Sequence, residues 1–228
     1  MPRATTKKIL IGLTSHSDLG GQGSTGYYVP EAAEPWQIFT AAGYTVELAS
    51  TAGGAPPADG VDLADSVQRA FLDDVEMSAK LANTPRFADV DPADYDAVLF
   101  AGGHGTMWDF PADAGVARLA RAVYENDGVV AAVCHGPAAL VGVTLSDGRP
   151  LVEGRQVSAF TNDEEQAAGL RDVVPFLLQT RLEELGAKHS YGPNFAEHVV
   201  TDGRLVTGQN PASATAVAQQ ILAALATR

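Results

Sequence analysis

Val129-Val-Ala-Ala-Val-Cys134-His-Gly-Pro-Ala-Ala-Leu140 runs from an unbroken apolar segment into a string of small residues through the only cysteine of the 228-residue chain. The apolar run reads as a strand buried on both faces. The Gly136-Pro137 pair then opens a helix over Pro137–Val143. Cys134 therefore sits on a strand-to-helix turn, the layout of a nucleophile elbow. Such a turn brings strand and helix so close that the residues two before and two after the nucleophile must be small, as Ala132 and Gly136 are. It lifts the side chain to the carboxyl edge of the sheet, where open α/β folds bind ligands. It also aims the helix's positive end and free N–H groups at the sulfur. A lone cysteine is commonly an inert core filler, but a filler has no need of small-Cys-His-Gly geometry. Cys134 thus reads as a nucleophile, with His135 beside it.

Outward from this elbow the same alternation repeats. Lys8–Leu13, Thr45–Ala49 and Ala97–Ala101 read as further buried strands, separated by helices at Glu31–Ala42, stopped by Gly43, and Val116–Asn126, stopped near Gly128. The fold expected is α/β: a single-domain, flavodoxin-like sandwich spanning 1–228, with a mainly parallel central sheet flanked by helices. Thr51–Gly60, with its Gly53-Gly54 and Pro56-Pro57 pairs, reads as a loop and Leu63–Leu81 as a helix, together a small helical insertion over about 55–90. Gln156–Phe160, His198–Val200 and Leu205–Val206 read as short strands, the last two joined by a turn at Thr201-Asp202-Gly203. A helix from Pro211 to Ala226, with Asn210 as its cap, closes the chain.

Composition narrows the function classes. Net charge is −13, from 28 acidic residues against 15 Lys and Arg. Such a surface repels nucleic-acid phosphates and anionic lipid, so neither is an expected partner. The N-terminal stretch Met1–Lys8 and the short apolar run after it do not make a signal segment or a membrane span, and a cytoplasmic location is expected. One cysteine permits no internal disulfide. Gly21-Gln-Gly23-Ser-Thr-Gly26 fits the dinucleotide fingerprint, but seven residues separate it from the strand that should lead directly into it, so no nucleotide cofactor is expected. The five histidines, at 16, 104, 135, 189 and 198, show no local pair at ligand spacing, and no metal is expected.

A second strand end carries chemistry. Val98-Leu-Phe-Ala-Gly102-Gly103-His104-Gly105 ends in glycines that let backbone N–H groups approach a bound carbonyl oxygen. Gly103 is the expected oxyanion donor with the His135 N–H, and Gly102 and His104 belong to the same substrate-binding turn. The acidic run Asp163-Glu164-Glu165 follows the strand expected at Phe160 and can reach the same sheet edge.

Several blocks together resemble the ThiJ/PfpI superfamily of class I glutamine-amidotransferase-like folds, in its glutathione-independent glyoxalase and 31-kDa heat-shock chaperone branch. They are Gly26-Tyr-Tyr-Val-Pro-Glu31-Ala-Ala-Glu-Pro35-Trp36, Ala101-Gly-Gly-His-Gly-Thr-Met-Trp-Asp109, Ala132–Pro137, Ser158–Glu165, Val174–Leu178 and Asp202–Pro211. The resemblance implies that Cys134 is the nucleophile, His135 its triad neighbour and Glu165 the third member, with Glu164 the alternate. It also implies that Glu31 points its carboxyl at the sulfur. On the residues alone, Glu31 serves equally as an acid favoured at a helix N-terminus. The distant His-x-Glu pair of true glutaminases of this fold is missing, since Ser-Tyr follows His189 and Val-Val follows His198. The activity implied is conversion of methylglyoxal or a related 2-oxoaldehyde to the 2-hydroxy acid through a Cys134 hemithioacetal, with deglycase activity within reach of the same parts. The alternatives are a holdase chaperone or oxidation-sensing stress protein, and a cysteine peptidase or amidohydrolase. A small reactive carbonyl is the expected partner, and a homodimer the expected assembly.

Overall fold

The computed structural model describes residues 7–227. Residues 1–6, within the N-terminal stretch expected to carry no targeting signal, lie outside the described residues, as does Arg228. Six strands form the central sheet: β1 (Lys8–Leu13), β3 (Thr45–Ser50), β5 (Ala97–Phe100), β6 (Val129–Val133), β9 (Val199–Asp202) and β10 (Leu205–Gly208). Their order is β3-β1-β5-β6-β10-β9, all parallel except the edge pair β10–β9. Two parallel pairs stand outside it, β2 (Tyr27–Tyr28) with β4 (Ala58–Asp59) and β7 (Gln156–Val157) with β8 (Lys188–His189).

Alternation along each strand explains why the runs are apolar throughout. Ile9, Ile11, Leu13, Ala97, Leu99, Val129, Ala131 and Val133 face one core, which α1 (Pro30–Ala41) and α8 (Ala214–Ala226) cover. Leu10, Val98, Phe100, Val130 and Ala132 face the other, covered by α5 (Ala114–Glu125) and by α7 (Leu178–Glu184). Successive side chains point to opposite faces, and here both faces are dry.

Several expected elements differ in detail. The helix expected over Leu63–Leu81 is two, α2 (Ser66–Asp73) and α3 (Val75–Ala82), because Asp74 is extended and its carboxylate caps α3 through the Met77 N–H. The strand expected over Gln156–Phe160 pairs only at Gln156–Val157; beyond it the Ser158 N–H donates to Thr207 Oγ1 instead of to a ladder. The helix expected over Pro137–Val143 is a 3-10 segment, Gly136–Leu140. Asn210 does not cap the C-terminal helix, which opens with a 3-10 turn at Pro211–Ser213. Its amide donates to Glu164 Oε1 and to the Ala196 carbonyl. Among the described residues no helix is long and apolar enough to cross a membrane.

Candidate active site

Strands β1, β5 and β6 deliver their carboxyl ends to one place, and the turns after β5 and β6 carry the reactive groups. Cys134 follows β6 at φ +61°, in the left-handed region that few residues other than glycine enter. The close approach behind it is built on glycine: a Cβ at Gly136 would lie 2.1 Å from the Phe100 carbonyl oxygen. Gly136→Ala should therefore lower unfolding free energy by about 3 kcal/mol, the upper end of overpacking costs, as read by urea denaturation; a loss below about 0.5 kcal/mol would contradict the packing described.

Cys134, His135 and Glu165 lie in line. Cys134 Sγ lies 3.4 Å from His135 Nδ1, and His135 Nε2 lies 2.7 Å from Glu165 Oε2. Glu165 Oε1 meets a second imidazole, His104 Nε2, at 2.9 Å. An ionised carboxylate only accepts, so both histidines present Nε2–H to it, and the bare Nδ1 of His135 faces the thiol. Electrostatics agree with this proton placement. Burial, with His104 alongside, holds His135 down at about 4, neutral at physiological pH. Burial pushes Glu165 up, but the hydrogen bonds from His104 and His135 outweigh it and hold the carboxyl down at about 2.

Glu165 ionised in the folded state and protonated at its ordinary value in the unfolded state contributes stability above pH 4.5 that is lost as pH falls toward 2. His135, kept neutral until about pH 4, works in the same direction below its ordinary value of 6.5. Glu165→Gln should flatten this acid limb in a pH series of urea denaturations, and an unchanged limb would contradict the placement of the charge.

Glu31, the second residue of α1, is fully buried. Its Oε2 accepts the Gly102 N–H at 2.7 Å, while Oε1 has no hydrogen-bond partner among the described residues. Burial pushes Glu31 up to about 8, against the pull of the Gly102 N–H and the thiol. Burial, then the Glu31 carboxyl, likewise pushes the Cys134 thiol well above its ordinary value, while the N–H groups of His135 and Gly103 pull it back. The carboxyl and the thiol thus form one coupled, desolvated pair.

The Gly103 and His135 N–H groups converge on the sulfur. Gly102 does not act as an oxyanion donor, because its N–H is occupied by Glu31 and its carbonyl by the Tyr28 N–H. It also has no room for a side chain, since a Cβ there would lie 2.5 Å from Glu31 Oε2. Of the acidic run, Glu165 turns to the histidines and Glu164 turns away. Glu164 closes a capping box with Thr161 at the start of α6 (Asn162–Ala167), which directs the next residue into the site.

The pocket over Cys134 has a volume of about 220 Å³ and a largely apolar wall, to which Tyr28, Phe160, Phe195 and Pro211 contribute, with Asp59, His104 and His135 among its polar members. Tyr28 and Phe160 stand inside sequence blocks singled out above. Asp59 and Phe195 carry no sequence signal, because loops from distant parts of the chain bring them there. Asp109, the last residue of another block singled out above, has its role only in three dimensions: its Oδ2 gathers Thr14 Oγ1, the Ser15 N–H and Thr51 Oγ1, tying the ends of β1 and β3 to α4 (Thr106–Asp109). His104, His135 and Glu165 place ligand-type atoms within 4.8 Å of one another, a cluster that sequence spacing concealed. Both imidazoles meet it through N–H bonds to the carboxylate.

A family model described as the DJ-1/PfpI family matches residues 25–224. Glyoxalase 3 of Candida albicans is 35% identical, covering 95% of this chain and 98% of its own. A glutathione-independent glyoxalase of Saccharomyces cerevisiae is 34% identical, covering 96% and 98%. Among solved structures, glyoxalase III of Candida albicans superposes with a TM-score of 0.89 at 33% identity, over 97% of this chain and 98% of that one. The rapid encystment protein of Francisella tularensis does so at 0.92 and 37%, over 96% and 98%.

Proposed function

The chain belongs to the DJ-1/PfpI family, and from that premise we propose that it is a glutathione-independent glyoxalase, converting methylglyoxal or a related 2-oxoaldehyde to the 2-hydroxy acid on Cys134. One observation carries this: the Glu31 carboxyl, buried against the thiol and pushed up to about 8. Amide hydrolysis needs a nucleophile, a base and oxyanion donors, all supplied without Glu31. Moving a proton between the two carbons of a dicarbonyl needs one more protonatable group beside the sulfur, dry and near neutral.

The steps balance without an outside oxidant. Sγ bonds to the aldehyde carbon, and His135 Nδ1 takes the thiol proton and returns it to the oxygen, giving a hemithioacetal. Glu165 steadies the imidazolium, and the Gly103 and His135 N–H groups hold the oxyanion. Glu31, ionised, removes the proton from C1, and the electrons left behind form an enediolate with its charge on the C2 oxygen. Glu31 returns the proton to C2 and the C1 hydroxyl proton passes to the C2 oxygen, which leaves a thioester. C1 is oxidised and C2 reduced within one molecule. Water then adds to the thioester, the C1–S bond breaks, and the thiol is restored with release of the acid.

The test is turnover of methylglyoxal by native protein freed of glutathione and treated with chelator, with lactate measured directly. Many lactates per chain are expected; folded protein that forms none refutes the proposal. Family resemblance also supports a homodimer. Light scattering should then give twice the 23.7 kDa chain mass, and a value near one chain mass would refute the dimer.

A further inference from the structure

Glu164 and Phe195 are used neither by the triad nor by the Glu31 pair, yet the fold commits a dense polar network to them. Glu164 is fully buried. Its Oε2 accepts the Thr161 N–H and Oγ1, while its Oε1 accepts the Phe195 N–H at 2.7 Å, Asn210 Nδ2 at 2.8 Å and Gln209 Nε2 at 3.0 Å. Asn210 and Gln209 clamp the same loop, Asn210 Nδ2 donating to the Ala196 carbonyl and Gln209 Oε1 accepting the Gly192 N–H. One carboxylate and two amides thus fix residues 192–196.

What they fix is Phe195 at φ +59° with its residue 52% exposed. Both features are costly for folding: glycine or asparagine adopts that backbone more readily, and a half-exposed aromatic ring gains little burial. A strained residue held by surrounding structure is a mark of a functional position. The ring stands 6.1 Å from that of Phe160, which in turn lies 4.3 Å from the His135 ring, and both phenylalanines line the pocket above Cys134. The pocket, at about 220 Å³, is larger than a three-carbon dicarbonyl fills, and its wall is aromatic.

We infer that Phe195 is a specificity residue that packs against the substituent of the 2-oxoaldehyde, favouring apolar and above all aryl substituents, and that Glu164 is the residue that positions it. This rests on the glyoxalase reading and names the substrate class of the same site. Glu164 serves the capping box through Oε2 and the Phe195 loop through Oε1, so a change confined to its Oε1 side shows in KM for bulky substrates.

The experiment compares kcat and KM for glyoxal, methylglyoxal and phenylglyoxal in the native protein, Phe195→Ala and Glu164→Gln. The native protein should prefer phenylglyoxal to glyoxal in kcat/KM. Phe195→Ala should reduce that preference roughly tenfold, the size of one aromatic contact with its buried area, through KM for phenylglyoxal. Glu164→Gln turns one acceptor oxygen into a donor facing other donors and should shift the preference the same way. If that variant fails to fold, Phe195→Ala and Asn210→Ala carry the test, because neither removes a hydrogen bond between Thr161 and Glu164. Turnover of all three substrates with an unchanged ratio in Phe195→Ala overturns this inference alone. No turnover of any substrate by folded native protein overturns the glyoxalase reading and this one with it.

Discussion

Cys134→Ala will abolish lactate formation from methylglyoxal, lowering kcat by about 10⁴-fold or more, because the residues lining the pocket include no other thiol to form the thioester on which every later step depends. The variant should fold. Cys134 is 4% exposed and small, the backbone at φ +61° is no worse for alanine than for cysteine, and removing the sulfur relieves the desolvated pair with Glu31. Circular dichroism and a urea midpoint close to native would separate lost chemistry from lost structure. A holdase activity that survives in this variant would show a function independent of the thiol, while residual lactate within about tenfold of native would remove Cys134 from the mechanism.

Glu31→Gln is expected to lower kcat by about 10²- to 10⁴-fold, the range for removal of a general acid–base group, and also to make the protein more stable. Both effects follow from the same proton. A base must be ionised to take the C1 proton, so native kcat/KM should climb with pH to a midpoint near 8, the value to which burial pushes Glu31. Stability runs the other way. With its folded value raised above the ordinary 4.5, Glu31 binds its proton more tightly in the folded protein, so the stability it contributes is complete below pH 4.5 and is lost as pH rises through 8. The amide of the Glu31→Gln variant carries no charge to desolvate, and at pH 8 the variant should exceed the native protein by an amount on the order of 2 kcal/mol. Equal urea midpoints for the two proteins across pH 6.5–8 would contradict the buried, raised carboxyl.

Much of this was legible in the sequence, for a physical reason. A strand buried on both faces writes itself as a continuous apolar run, and an elbow writes itself as small residues at fixed offsets from the nucleophile, so β1, β3, β5, β6 and Cys134 could be placed from local pattern. The glycine turn after β5 was placed, but its two glycines divide their work, and only the structure shows the Gly102 N–H serving Glu31 while Gly103 serves the sulfur. Glu164 and Glu165 could not be told apart by type. What separates them is the Thr161 capping box, which consumes one and so turns its neighbour toward His135. Asn210 looked like a helix cap because Pro211 follows it, and a buried carboxylate 46 positions away competed successfully for its amide. Phe195 and Asp59 lie furthest beyond sequence reading, since loops with no periodicity bring them to the site.

The most direct measurement of the central claim is the intact mass of Glu31→Gln after incubation with methylglyoxal, with lactate followed in the same sample. A single methylglyoxal-sized adduct located on Cys134 is expected, reversible on dilution, with little or no lactate, because the hemithioacetal forms and the proton transfer that should follow it is blocked. Lactate formed at the native rate, or an adduct population that ignores Cys134, would contradict it.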